Sequence, residues 1–364
     1  MQEGRARLAP MTIPTEPIGS IPRPLELLKA IERCASGRAS AEELEREYEG
    51  AVRDTLARFE ATGSPVISDG EQRKSSFATY PLDGLTTLAP DGVVIPFKDG
   101  HTRQLPRLAR GPFRYAKHAG EYVQRAKPFA KRPLKQAVIS ASALSLLYPA
   151  DGIQGYPREA FIKDLIDEAV ADIRSALDGG AECVQIDFTE GRLSLKLDPS
   201  GGLLKSFVTL NNSVLERFSG ADRARIGVHV CPGGDHDSTH SADVDYAGFL
   251  PTLFEMTVGR FYLQLASEPD RPRVLRLISQ LLGAKRKIFV GVIDPISTRV
   301  ETAEQVRDRV LEAAAILPLE QLGTTDDCGF SPFADDVSTA RETAFAKIRA
   351  RVEGTALAAS QLGV

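Results

Sequence analysis

The chain alternates short apolar, β-branched runs with longer stretches in which apolar residues recur every three to four positions. Ser40 and Glu43 form a capping box. Leu44, Tyr48, Val52, Thr55 and Phe59 then share one face, which predicts a helix over about 40–62. Gly63 follows, and the run Pro65-Val66-Ile67-Ser68, ending in Asp69, has the composition of a buried strand. Strand-like runs return at 135–140, 182–187, 225–231, 260–265, 287–293 and 319–324. Between them lie amphipathic stretches at 158–178, 203–217, 246–256, 271–282 and 302–315. With the run before Ser20 these make eight strands, each leaving room for a helix behind it. That rhythm implies parallel βαβ units closed into a (β/α)8, or TIM, barrel of the α/β class. An open doubly wound sheet is the alternative, but no GxGxxG follows the first strand to serve as its phosphate loop.

Residues 84–112 break the rhythm. GVVIPF, then Lys98-Asp99-Gly100, then HTRQLPRL reads as two short strands joined by a turn, a β-hairpin inserted between strands two and three. It is either a decoration of the barrel surface or a lid over the active face. Residues 1–14 are expected as an N-terminal extension and 15–364 as a single catalytic domain.

Composition narrows the functional classes. Among 364 residues, 45 Lys and Arg stand against 49 Asp and Glu, a mildly acidic balance that carries no nucleic-acid footprint. The run from Ile288 to Ile293 is far short of the roughly 18 apolar residues a membrane span requires, and the first residues show no signal-peptide core. Cys34, Cys183, Cys231 and Cys328 are too scattered for a disulfide framework, which points to a reducing, cytoplasmic setting with free thiols. A homo-oligomer is left open.

Barrel enzymes assemble their sites at the C-terminal ends of strands. The residues ending each run here are Ser20, Asp69 with Glu71, Ser140 with Ser142, Asp187 with Glu190, His229 with Cys231, Gln264 with Glu268, Asp294, and Cys328. Polar and metal-capable side chains collect there while the strand bodies are apolar, the pattern of an enzyme. Residues two apart on a strand face the same way, so His229 and Cys231 project together. They are either the imidazole and thiolate that zinc prefers, joined by Cys328 across the barrel mouth, or an ordinary partly buried pair. His236 and His240, with Asp235, Asp237 and Asp243, form either a solvated charged loop or a further source of ligands.

IGSIPRP at 18–24, SDGEQRKSSFATY at 68–80, VQID at 184–187, HVC at 229–231, GVID at 291–294 and DCGF at 327–330 stand in the order and near the spacing of one known family. From about Thr15 onward the chain resembles the catalytic domain of cobalamin-independent methionine synthases. It looks closest to their short single-barrel relatives, which include the epoxyalkane:coenzyme M transferases. The resemblance implies a zinc-bearing barrel that activates a small thiol for alkylation, with Zn²⁺ as cofactor and His229, Cys231 and Cys328 as metal ligands. It also places Ser20, Glu71 and Asp187 where the amino-acid thiol is held, the two acids pairing with its ammonium, and Asp294 among the catalytic acids. A thiol of ordinary pKa near 8.5 is mostly protonated at neutral pH, and coordination to Zn²⁺ deprotonates it.

The sequence departs from that pattern at three places. Gln264 aligns with the family's carboxylate ligand, Phe188 with a glutamate after the VQID aspartate, and Ile296 with a histidine associated with proton handling at the folate. Replacing a carboxylate by neutral Gln264 leaves two thiolates and one neutral imidazole around Zn²⁺, a less negative centre. Gln264 is therefore expected near the metal as a weak ligand that yields to water, the substrate sulfur, His236 or Glu268.

The expected activity is alkylation of a small-molecule thiol by an alkyl donor, with methyl transfer to homocysteine as the nearest precedent. A second reading within the class opens an epoxide or another electrophile with a thiol such as coenzyme M. A sulfonate thiol would draw on Arg23, Arg73, Arg192 or Arg299, the first two being candidate substrate-binding residues. Outside the class stand a non-catalytic ligand-binding barrel and a decarboxylase, against which the HVC and DCG pair argues. Neither nucleic acid nor membrane is an expected partner.

Overall fold

The computed structural model describes residues 12–364. Six parallel strands pair in the order Leu322–Asp326, Lys287–Ile293, Arg260–Leu263, Ile226–Val230, Cys183–Asp187 and Lys135–Ile139. Nearly every position in them is buried, as expected of strands covered on both faces.

The ring closes through two contracted strands. Thr15 bridges Thr324 and Ile67 bridges Leu134, both in parallel sense. The two segments meet where the Ile21 N–H donates to the Gly70 carbonyl at 3.1 Å and the Ser68 hydroxyl to the Gly19 carbonyl at 2.7 Å. The (β/α)8 reading therefore holds, with its first two strands reduced to single ladder positions. Pro14, Pro17 and Pro65 lack the N–H groups a longer ladder needs. The last strand is also displaced from the expected 319–324: Pro318 opens a 3₁₀ turn over Leu319–Gln321, and the strand begins at Leu322.

The helices follow their signals. Ser40 and Glu43 complete the capping box of Ala41–Ala61, Arg158–Gly179 ends where Gly180 turns to φ 99°, and Thr302 caps Ala303–Ala314 with Gln305. Arg341–Leu362, not anticipated from the pattern, closes the barrel. Its apolar residues are distributed around the helix among buried Lys347 and Arg351 and form no clean stripe.

Two polar layers occupy opposite ends of the barrel. At the strand starts, Glu16 accepts from Arg260 at 2.7 Å and from the Tyr262 hydroxyl at 2.6 Å, and lies 3.5 Å from the Lys135 ammonium. Burial holds the Lys135 ammonium down to about 8 despite Glu16. At the strand ends stand Asp187, His229 and Cys231, with apolar layers between the two groups.

The insertion is a hairpin of two successive antiparallel pairs, Leu88–Ala89 with Arg107–Leu108 and Val94–Pro96 with Thr102–Gln104. Its tip docks on a small ribbon formed by Gly234–Asp235 and Ser238–Thr239, the Lys98 N–H donating to the Thr239 carbonyl at 3.0 Å. The N-terminal extension expected at 1–14 lies largely outside the described residues. Ile13 is already buried, and the Pro14 carbonyl accepts from the Thr324 N–H, so the barrel is engaged from there.

Candidate metal centre and cavity

His229, Cys231 and Cys328 converge at the strand ends, one donor atom of each lying within 4.8 Å of the others. The Cys231 and Cys328 sulfurs are 3.2 Å apart, and both cysteines are free. The hydrogen bond with Cys231, then burial and the proximity of that sulfur, push the Cys328 thiol well above its ordinary range, because two adjacent thiols cannot both ionise without a cation. His229 Nδ1 lies 3.2 Å from the Tyr262 carbonyl, to which its N–H donates, so Nε2 carries the lone pair. That Nε2 is buried and has no hydrogen-bond partner. An orphaned imidazole nitrogen beside two thiols, with the other ring nitrogen fixed by a carbonyl, suits a divalent zinc ion of N/S preference.

Asp327, which the sequence reading passed over, positions this group. Its Oδ1 accepts from the Leu265 and Ala266 N–H groups at 2.8 and 2.7 Å, and its Oδ2 from the N–H and hydroxyl of Ser267, each at 2.8 Å. The loop bearing Cys328 is thereby tied to the end of the Arg260–Leu263 strand. The DCG triplet was visible in the sequence, but nothing local marks its aspartate as a receiver of backbone amides.

The metal-capable group opens on a cavity of about 380 Å³ lined by Ser20, Glu71, Asp187, Glu190, His229 and Cys328, with largely apolar walls. The hairpin supplies Ile95, Phe97, Arg103 and Leu105 to those walls, so it acts as a lid and not as a surface decoration. Arg103 latches it: the guanidinium donates to Asp335 at 2.9 Å and pairs with both oxygens of buried Asp235.

Glu71 sits at φ 56°, in the left-handed region that a non-glycine residue seldom adopts. Its Oε1 lies 3.1 Å from the ammonium of fully buried Lys74, a partner the sequence reading did not foresee. Asp187, at the end of its strand, accepts from the Gln185 amide at 2.7 Å, and burial raises its carboxyl to about 6. The Ser20 hydroxyl accepts from the Ser331 N–H at 3.2 Å.

Other expected residues lie elsewhere. Gln264 is not a free ligand: its Oε1 is held by Arg192 at 2.7 Å and the Tyr246 hydroxyl at 3.1 Å, and its amide nitrogen donates to Ser267 at 2.7 Å. Glu268 meets the same guanidinium at 3.2 Å. His236 groups with Asp235 and Asp336, away from the sulfurs. The Arg23 guanidinium is spent on the carbonyls of Glu71, Lys74, Ser331 and Phe333. Arg73 pairs with Glu45 behind the barrel wall, so neither arginine lines the cavity. Asp294 does not line it either, its Oδ1 accepting from the Ile296 N–H at 3.1 Å to cap a turn. Buried polar and ionised side chains need partners; Asp294 finds one inside its own loop, while Arg23, Arg73, Gln264 and His236 find theirs on segments distant along the chain.

Comparison with known proteins identifies the family and the fold. A methionine synthase of Saccharolobus solfataricus is 23% identical over 351 residues, spanning 96% of each chain, and one from Sulfurisphaera tokodaii is 23% identical over 350 residues. The fold is shared with a B12-independent methionine synthase from Shewanella sp. W3-18-1, solved with selenomethionine, at a TM-score of 0.76 and 19% identity over 97% of this chain and 99% of that one. A further structure, from Listeria monocytogenes, gives 0.71 at 22% identity over 95% of this chain and 98% of that one. The model of the cobalamin-independent synthase catalytic domain matches residues 13–353, and the chain belongs to that family.

Proposed function

We propose that the protein is a zinc-dependent transferase that holds a small thiol as its thiolate and alkylates it, methyl transfer to homocysteine being the reaction its relatives support best. The observation that carries this reading is the convergence of His229 Nε2 and the Cys231 and Cys328 sulfurs beside an enclosed cavity. His229, Cys231 and Cys328 would hold the metal, leaving one tetrahedral position for a substrate sulfur. When bound, zinc supplies the positive charge that keeps the thiol deprotonated at neutral pH.

The protein's own groups bind and orient. Asp187 and Glu71 both line the cavity, and with Lys74 already neutralising one charge, the remaining acidity suits a single ammonium, as in an amino-acid thiol. Ser20 keeps the loop 329–331 against the cavity floor through the Ser331 N–H. The lid excludes water, which otherwise solvates the thiolate and slows its attack.

A sulfonate thiol fits less well. Arg103, Arg23, Arg73 and Arg192 are each paired with carboxylates or carbonyls, and Arg103 is the sole cationic side chain among the described cavity-lining residues. The test is metal analysis of the purified protein, followed by titration of the cobalt-substituted form with L-homocysteine and with coenzyme M. A change in the thiolate-to-cobalt absorption with homocysteine supports the reading; no change with either thiol overturns it.

A further inference from the structure

Glu190 is a cavity acid with no cation beside it and one carboxyl oxygen left unpartnered. It begins the short helix Glu190–Leu197 directly after the strand bearing Asp187, lines the cavity, and is 5% exposed. Its Oε1 accepts from the hydroxyls of Ser140 and Ser142, and the Asn211 amide fixes Ser142 at 2.8 Å. Its Oε2 is buried without any hydrogen-bond partner. The other acids of the cavity are committed: Glu71 to Lys74, Asp335 to Arg103, and Asp187 to the Gln185 amide.

Alkyl transfer to a thiolate forms an S–C bond and breaks the bond from carbon to the donor's leaving atom, which keeps the electron pair. An amine or alkoxide leaving atom must take up a proton; a halide need not. We propose that Glu190 is the proton donor to the leaving group of the alkyl donor, its unpartnered carboxyl oxygen delivering the proton as the bond to carbon breaks. The resulting carboxylate regains a proton from solvent when the lid opens and products leave, so the cycle balances without a further reagent.

The surroundings suit that role. Burial raises the Glu190 carboxyl to about 7, so it still carries a proton near neutrality. Asp187 is the charged group facing it, from the preceding strand, and reinforces the shift. Arg192, on Glu190's own helix, is turned to Gln264 and Glu268, while Gly202–Leu215 presents neutral Asn211 and Tyr246–Leu253 presents Tyr246. His240 also lines the cavity, but burial lowers it to about 4, leaving a neutral ring that is a poor acid.

This inference rests on the thiol-alkylation reading, and the experiment separates the two. Homocysteine alkylation by the zinc-loaded protein is followed with 5-methyltetrahydrofolate and epoxypropane, whose leaving atoms need a proton, and with iodomethane, whose iodide does not. Glu190→Gln should lower kcat/KM at least about 100-fold for whichever proton-requiring donor the wild type uses. It should also abolish the alkaline limb near pH 7, and change the iodomethane rate less than about threefold. Ser142→Ala, which removes one hydrogen bond from the carboxylate, should move that limb upward. Equal losses with both donor types, an unmoved limb in Ser142→Ala, or a wild type that uses iodomethane alone would overturn the proton-donor role. A wild type that accelerates none of the three would overturn the thiol-alkylation reading itself.

Discussion

The guanidinium of Arg192 holds the side-chain oxygen of Gln264 at 2.7 Å, and both residues are almost wholly buried. Arg192 also lies over the Tyr246 ring at 4.5 Å and donates to the Val244 carbonyl at 2.5 Å, so it is a fixed post at the strand end. A glutamate at 264 would meet this cation directly. A neutral amide there leaves the Arg192 charge balanced by Glu268 alone.

Gln264→Glu should therefore fold normally, with an unchanged or raised unfolding midpoint, because the new carboxylate pairs with Arg192. Zinc content should hold and homocysteine affinity should change less than about twofold, because the new charge is spent on Arg192 and position 264 does not line the cavity. Zinc analysis and homocysteine titration of the variant measure both effects. Tenfold weaker homocysteine binding would show that the charge at position 264 reaches the bound thiolate.

Cys231→Ala and Cys328→Ala should each reduce zinc from about one per chain to a small fraction of that, since each removes a thiolate ligand. The rest of the barrel does not depend on these sulfurs, so far-ultraviolet circular dichroism should stay near wild type. Mass-spectrometric metal analysis after dialysis decides it, and full metal in both variants would exclude the proposed ligand set.

Glu190 predicts a pH-dependent stability. Its carboxyl titrates at about 7 in the folded protein against an ordinary 4.5, so between those values the folded state holds a proton that the unfolded chain has released. Its contribution is fully present below about pH 4.5 and is lost as pH rises through 7, by at most about 3 kcal/mol. Urea unfolding of wild type and Glu190→Gln at several pH values should show the difference between them changing over that window. A pH-independent difference would mean the carboxyl is not buried as described.

Arg103→Ala should release the lid. The variant strips buried Asp235 of its guanidinium partner and cuts the link to Asp335, while leaving His229, Cys231 and Cys328 without any changed contact. Amide hydrogen exchange over 94–104 should accelerate by about tenfold or more, with exchange in the Cys183–Asp187 strand unchanged. KM should rise more than kcat falls. Exchange confined to wild-type rates would show that the apolar contacts of Phe97 and Leu105 suffice to hold the lid.

The sequence determined what depends on local pattern. Period-two and period-3.6 hydrophobicity located six of the barrel strands and most of the helices, and placed Asp187, His229 and Cys231 at strand ends on a common side. It also showed that residues 84–112 form a hairpin, because turn chemistry at 98–100 is local. The tertiary structure decided everything that depends on partners distant along the chain. Prolines in the first two strands cut them to the single bridges at Thr15 and Ile67, and only the closed ring shows that they still complete it. Cys231 and Cys328 meet across 97 positions through the Asp327 clamp, and Lys74 neutralises Glu71 beneath it. Arg23, Arg73, Asp294 and Gln264 share the residue types of a substrate or metal site. Burial at the strand ends forces each charge or amide onto the nearest complementary group, and which group that is follows from loop packing that no local period encodes.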